Sequence, residues 1–185
     1  MPTTITTTVY TFSELSEDAQ QKAIEDSRYA NVADLEWWDT TYEDARTIGL
    51  EITGFDLGNR KTIAGKLLKT LPECCRLVRA NHGKSCDTFR TALHYNHRYF
   101  LEFSRWRRAM LSDPDVCENW RPSDWLAEFS DTPEATDTAN DFRLDLLSDY
   151  RSILDSEYDY LTGDVAISES LTANEYRFTA DGSRF

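Results

Sequence analysis

At 185 residues, 40% of them apolar and 12% aromatic, the chain holds enough material for one hydrophobic core, and five Trp, nine Tyr and nine Phe exclude a disordered polymer. A net charge of −13 excludes the nucleic-acid backbone as the simple partner of an evenly charged surface. The charge is uneven, however: residues 1–59 carry −9, residues 60–108 carry +9 and residues 109–185 carry −13, so a basic centre sits between acidic ends.

Met1-Pro2-Thr3-Thr4-Ile5 has neither a basic nor an apolar leader region, and no run approaches the roughly 18 apolar residues of a membrane helix, so a cytosolic, non-membrane protein is expected. Residues 7–12, with Val9, Tyr10, Thr11 and Phe12, read as a short strand. Ser16 is placed as an N-cap with Glu17 and Asp18 in the first turn of a helix running to about residue 29. A second helix spans about 34–48 and stops at Gly49. Residues 51–57 and 61–68 read as a hairpin, weakened at Gly65. Pro72 opens a short helix to about residue 80, and a long helix covers about 86–111, ended by Asp113-Pro114. Residues 120–129 read as a looser segment, followed by a second long helix over 133–161, a short helix over 164–173 and a final strand over 175–179 with an Asp181-Gly182 turn. This order predicts an α+β fold: one domain over 1–185, with a small antiparallel sheet of about three to four strands, both termini included, packed against several helices, two of them long.

The helix over 133–161 carries the most unusual pattern. Phe142, Leu146, Leu147, Tyr150, Ile153, Leu154 and Leu161 form its expected buried stripe, and Asp137, Asp141, Asp145, Asp149, Asp155 and Asp159 lie roughly opposite, on an outer face expected to hold no Lys or Arg. Like charges four residues apart oppose a helix by roughly 0.2–0.5 kcal/mol per pair, so the row has a cost that ordinary solubility does not require. Carboxylates spaced about 6 Å along an axis present charge as a phosphate backbone does and would attract a basic nucleic-acid-binding surface. Two blander readings stand beside this: the row keeps the protein soluble, or it faces the basic helix of the same molecule.

On the helix over 86–111, Phe89, Ala92, Leu93, Tyr95, Tyr99, Phe100, Phe103, Trp106 and Met110 predict one broad apolar face, and Arg90, His94, His97, Arg98, Arg105 and Arg108 the other. The basic set Arg90, His94, Arg98, Arg105 and Arg108 is the alternative site, a regulatory nucleic-acid contact with aromatic residues nearby. Direct nucleic-acid binding fits poorly with a chain of −13.

No phosphate-binding G-x-x-x-x-G-K-[ST], no G-x-S-x-G and no H-E-x-x-H occurs, so no catalytic residues are assigned and no cofactor is expected. Cys74, Cys75, Cys86 and Cys117 are expected as free thiols. Cys75, His82 and Cys86 are of types that zinc accepts, with His94 and His97 beyond, but their spacing matches no paired C-x-x-C site, and a metal-dependent enzyme stays a lesser alternative. Of Trp37-Trp38, whose side chains point about 100° apart, one is expected in the core. The edge of a small sheet and the second indole are surfaces that a homodimer could use.

The stretch Tyr10-Thr11-Phe12-Ser13-Glu14-Leu15-Ser16-Glu17-Asp18-Ala19-Gln20-Gln21-Lys22-Ala23-Ile24-Glu25, followed by Trp37-Trp38, Tyr42-Glu43-Asp44-Ala45, Ile48-Gly49-Leu50 and Ile52-Thr53-Gly54-Phe55-Asp56-Leu57, resembles uncharacterised proteins encoded by bacteriophages and prophages. A second match runs from Glu157-Tyr158-Asp159-Tyr160-Leu161-Thr162 to Ala173-Asn174-Glu175-Tyr176-Arg177-Phe178. The resemblance implies origin and a place in the host cytoplasm, and brings no activity with it. By analogy, small acidic phage proteins act against host defence as anti-CRISPR or anti-restriction inhibitors. The expectation is therefore a non-enzymatic protein that binds a basic, nucleic-acid-handling host defence factor through its Asp row.

Overall fold

The computed structural model describes residues 6–33, 36–112 and 120–185. They form an α+β protein divided into two compact units, one of residues 1–38 with 155–185 and the other of residues 39–154. The helix Pro133–Leu161 supplies residues to both. Among the described residues no helix is long and apolar enough to cross a membrane.

In the first unit, strand β1 (Tyr10–Thr11) gives way at Phe12 to a single 3₁₀ turn, shorter than the expected strand over 7–12. Ser16 caps α1 (Glu17–Asp26) by accepting from the Ala19 N–H at 3.4 Å, and a short α2 (Ala30–Ala33) follows. The start of the second predicted helix at residue 34 falls outside the described residues; Trp37 and Trp38 lie in a turn, both half-buried, and Trp37 packs 5.9 Å from Tyr158.

Near the other end of the chain, the helix Asp164–Ala173 has the predicted bounds, and the strand Arg177–Phe178 pairs antiparallel with β1, Tyr10 opposite Phe178. Leu15, Ala19, Ala23, Ile24, Ile167, Leu171 and Phe178 close the core of this unit.

The turn after that last strand is held by Asp181, whose carboxylate accepts from Thr179 Oγ1 at 2.6 Å, the Ser183 N–H at 3.2 Å and Ser183 Oγ at 3.0 Å. These bonds, the Thr179 hydroxyl first, bring its pKa from 3.8 to about 2. A folded-state pKa below the unfolded one means that the unfolded chain binds more protons in that interval, so stability rises with pH between the two values. The melting-temperature difference between wild type and Asp181→Asn is expected to shrink as pH falls from 3.8 to about 2. A difference constant across that window would show that the turn's hydrogen bonds do not depend on the charge.

The second unit begins with α3 (Asp39–Thr47), which leads into β2 (Leu50–Asp56) and its hairpin partner β3 (Thr62–Leu67), Leu50 opposite Leu67 with a bulge between Ile52 and Gly54. Gly65 has a structural reason: a Cβ there would stand 2.5 Å from the Glu51 carbonyl oxygen and 2.9 Å from Leu147 Cδ2, so only glycine lets β3 lie this close to the β2 backbone. α4 (Leu71–Asn81) starts where the Glu73 carboxylate accepts from both the Thr70 N–H and Thr70 Oγ1. α5 (Asp87–Met110) follows; Asp113-Pro114 lies outside the described residues.

Residues 122–130 are a helix, α6 (Pro122–Ser130), where a looser segment was expected; Pro122 opens it and Trp125 and Phe129, one turn apart, are buried. α7 (Pro133–Leu161) has the predicted bounds and is followed in the chain by α8 (Asp164–Ala173) and β4 (Arg177–Phe178). One core holds this unit, with Ile48, Leu50, Val78, Ala92, Phe129, Phe142, Leu146 and Tyr150 all fully buried.

Among the described residues four strands make two separate two-stranded antiparallel sheets, β1–β4 and β2–β3, instead of one sheet of three to four. Strands of two residues at the chain ends satisfy each other, while the hairpin is complete within its own unit. Three apolar positions expected to be covered are open: Leu93 is 51% exposed, Phe100 40% and Ile153 42%. On α5 the buried line is narrower than the apolar face, and runs through Thr88, Ala92, Tyr95 and Tyr99.

Candidate functional site

Four residues along an α-helix advance about 400°, so a row spaced by four winds about 40° per step relative to a fixed face. Asp137, Asp141, Asp145 and Asp149 therefore do not stay opposite the buried stripe; each stands closer to it than the one before. In the structure the row climbs onto a seam with α5. Asp137 is exposed and has no side-chain partner among the described residues. Asp141 accepts from Arg98 Nη1 at 2.9 Å with half of its side chain exposed. Asp145 accepts from Tyr95 Oη at 2.7 Å, and Asp149, half-buried, from Thr91 Oγ1 at 2.8 Å.

A second carboxylate completes the seam. Glu102 accepts from Arg98 Nε at 3.0 Å and from the fully buried Thr138 Oγ1 at 2.6 Å, and its bond, ahead of that from Asp141, raises the Arg98 pKa. Burial first, then the bond to Asp145, pushes Tyr95 up to about 12, so its hydroxyl keeps its proton and donates. Burial also raises the pKa of Asp149, against the opposing pull of the Thr91 hydroxyl. The two arginines of α7 turn the other way, toward the hairpin: Arg143 donates to the Gly65 carbonyl at 3.2 Å and Arg151 to that of Lys61 at 3.0 Å.

The row thus belongs partly to the reading in which it faces the basic helix of the same molecule. Its charge survives this. Arg98 pairs with Asp141, but the donors on Asp145 and Asp149 are neutral hydroxyls, which fix a carboxylate's direction without cancelling its charge. Asp155 and Asp159 lie in the other unit, Asp155 half-buried and Asp159 exposed.

The alternative basic face is divided. Arg98 points into the seam, Arg90 pairs with Asp87, and His94 sets its ring edge against Tyr95 at 5.0 Å, while Arg105 and Arg108 are exposed.

Cys75, His82 and Cys86 do not come together: Cys75 is fully buried, Cys86 is exposed, and His82 Nδ1 lies 2.7 Å from Thr88 Oγ1, a hydrogen bond whose direction follows the tautomer. Among the described residues no three His, Cys, Asp or Glu side chains are grouped to hold a metal ion, and Cys117 falls outside them. Burial pushes the thiols of Cys74 and Cys75 up to about 11 and about 12, so both are protonated core residues with little nucleophilic character.

One constellation escaped sequence reasoning. His82, its side chain 9% exposed, has Nε2 3.4 Å from Asp44 Oδ2, and the same oxygen accepts from Tyr150 Oη at 2.6 Å. Thr88, His82 and Asp44 thus stand in the order of hydroxyl, imidazole and carboxylate used in nucleophilic catalysis. Thr88 is only 3% exposed, so its hydroxyl is closed to substrate, and the buried His82 Nε2 makes no hydrogen bond among the described residues, so the approach to Asp44 does not complete a relay. Such a contact between residues far apart in sequence leaves no local periodic signal; the winding of the Asp row does.

No family model, curated protein or solved structure matches the chain.

Proposed function

We propose that the protein is a non-enzymatic phage or prophage product that binds a host nucleic-acid-handling defence component, of the kind met by anti-CRISPR or anti-restriction inhibitors, and occupies its basic surface with the α7 edge of Asp137, Asp141, Asp145 and Asp149. The observation that carries this reading is the holding of Asp145 and Asp149 by uncharged hydroxyl donors. Carboxylates fixed in direction before binding lose less rotational freedom on meeting a basic partner, and keep the charge that attracts it. A chain of −13 adds long-range attraction to the same partners. The host setting comes from the resemblance of both chain ends to phage and prophage proteins. Asp155 and Asp159, in the other unit, are left out of this edge.

The test is capture from nuclease-treated bacterial lysate, followed by titration of the captured protein's binding to its own DNA or RNA. Wild type is expected to displace the nucleic acid in a salt-sensitive manner. Asp137→Asn/Asp145→Asn keeps the side-chain shapes and removes two charges, and is expected to weaken displacement about tenfold. Equal displacement by both proteins would remove the acidic edge from the interface.

A further inference from the structure

α4 and α5 are joined by a short loop, and the surface at that end forms a shallow, open pocket of about 410 Å³ lined by Arg76, Arg79, Ala80, Lys84 and Phe89. Arg76 and Arg79, three residues apart, share one face of α4, and Ala80, one turn beyond Arg76, leaves room between the two long side chains. The loop adds Lys84, and the first turn of α5 adds the half-buried ring of Phe89.

Among the described residues, the side chains of Arg76, Arg79 and Lys84 take part in no ion pair or hydrogen bond. Glu73, three residues before Arg76, hydrogen-bonds to Thr70 and acts on Arg76 through its charge alone, while Asp87 pairs with Arg90. Three cations that form no ion pair among the described residues therefore line one pocket beside an aromatic ring, in a chain whose total charge is −13.

We infer that this pocket binds a nucleoside phosphate, its phosphate groups on Arg76, Arg79 and Lys84 and its base against Phe89. Two guanidinium forks match phosphate oxygens in a way that a water-filled surface does not demand, and the ring supplies a stacking face. The site rests on residues of the basic centre and is independent of the α7 edge.

Calorimetric titration of the full-length chain with ADP, pyrophosphate and adenosine tests it. ADP is expected to bind saturably at one site, pyrophosphate more weakly, and adenosine weakest. Arg76→Gln/Arg79→Gln, at two exposed positions, is expected to weaken ADP about tenfold or more. Phe89→Leu keeps apolar volume but no stacking face, and is expected to weaken ADP while leaving pyrophosphate unchanged. Displacement of ADP by a 5′-phosphorylated dinucleotide supports the same site with a strand end as the natural source; resistance to it supports the free nucleotide. No saturable ADP binding, adenosine binding as tight as ADP, or an Arg76→Gln/Arg79→Gln variant with unchanged affinity would each overturn the assignment.

Discussion

Gly182→Ala is expected to destabilise the β1–β4 unit by about 2–5 kcal/mol, from the left-handed backbone and the steric overlap together. Gly182 sits at φ 83°. A Cβ at this position would stand 2.1 Å from the Ala19 carbonyl oxygen and 2.9 Å from its carbonyl carbon. Those atoms are backbone of α1, and Ala19 and Ala23 on the same helix are core residues, so α1 cannot step back without opening the core. The loss of chain freedom that makes Gly→Ala favourable elsewhere is worth only about 0.4–1 kcal/mol and does not offset this. Thermal unfolding with amide exchange is the measurement: α1 amides should lose protection while those of β2 and β3 keep theirs. A variant that melts with wild type would mean that the 181–184 turn does not hold α1.

The Ser16 cap and the two long helices were legible because their signals are local. Ser16 with two acids after it, and the apolar stripe of α7, need no knowledge of the rest of the chain. The signals for α6 were also present, Pro122 at the first helical position and Trp125, Leu126 and Phe129 at helical spacing, but a short helix rich in Trp resembles an irregular apolar segment.

Partition of the strands was not legible, because a two-residue strand is defined by its partner at the other end of the chain and not by its own residues. Leu93 and Phe100 show a different limit: helical periodicity fixes which residues share a face, and only the neighbours decide how much of that face is covered. The acidic row lies between these cases. Its composition was plain, and its winding by about 40° per step, which carries Asp149 into the seam, follows from helix geometry alone. The identity of the waiting donors, Tyr95 and Thr91, required the fold.

Phe142→Ala is expected to cost about 3–5 kcal/mol, the range for deleting a fully buried aromatic ring. Phe142 is 0% exposed, and its ring packs 5.6 Å from that of Tyr95. Because the Tyr95 hydroxyl donates to Asp145, the cavity also removes the support under one carboxylate of the acidic edge. Tyr95→Phe separates the two effects: the ring stays to pack on Phe142, and only the donor is lost.

Asp145 is exposed, so water replaces that donor, and the stability cost is expected at the low end of the hydrogen-bond range, about 0.5 kcal/mol. If the edge acts through the fixed direction of its carboxylates, Tyr95→Phe should weaken partner binding at temperatures where it is fully folded. If charge alone matters, Tyr95→Phe should bind as wild type does and only the Asn substitutions should weaken it. Comparing both variants by chemical denaturation and by partner titration therefore tells whether Tyr95 serves the core, the edge or both.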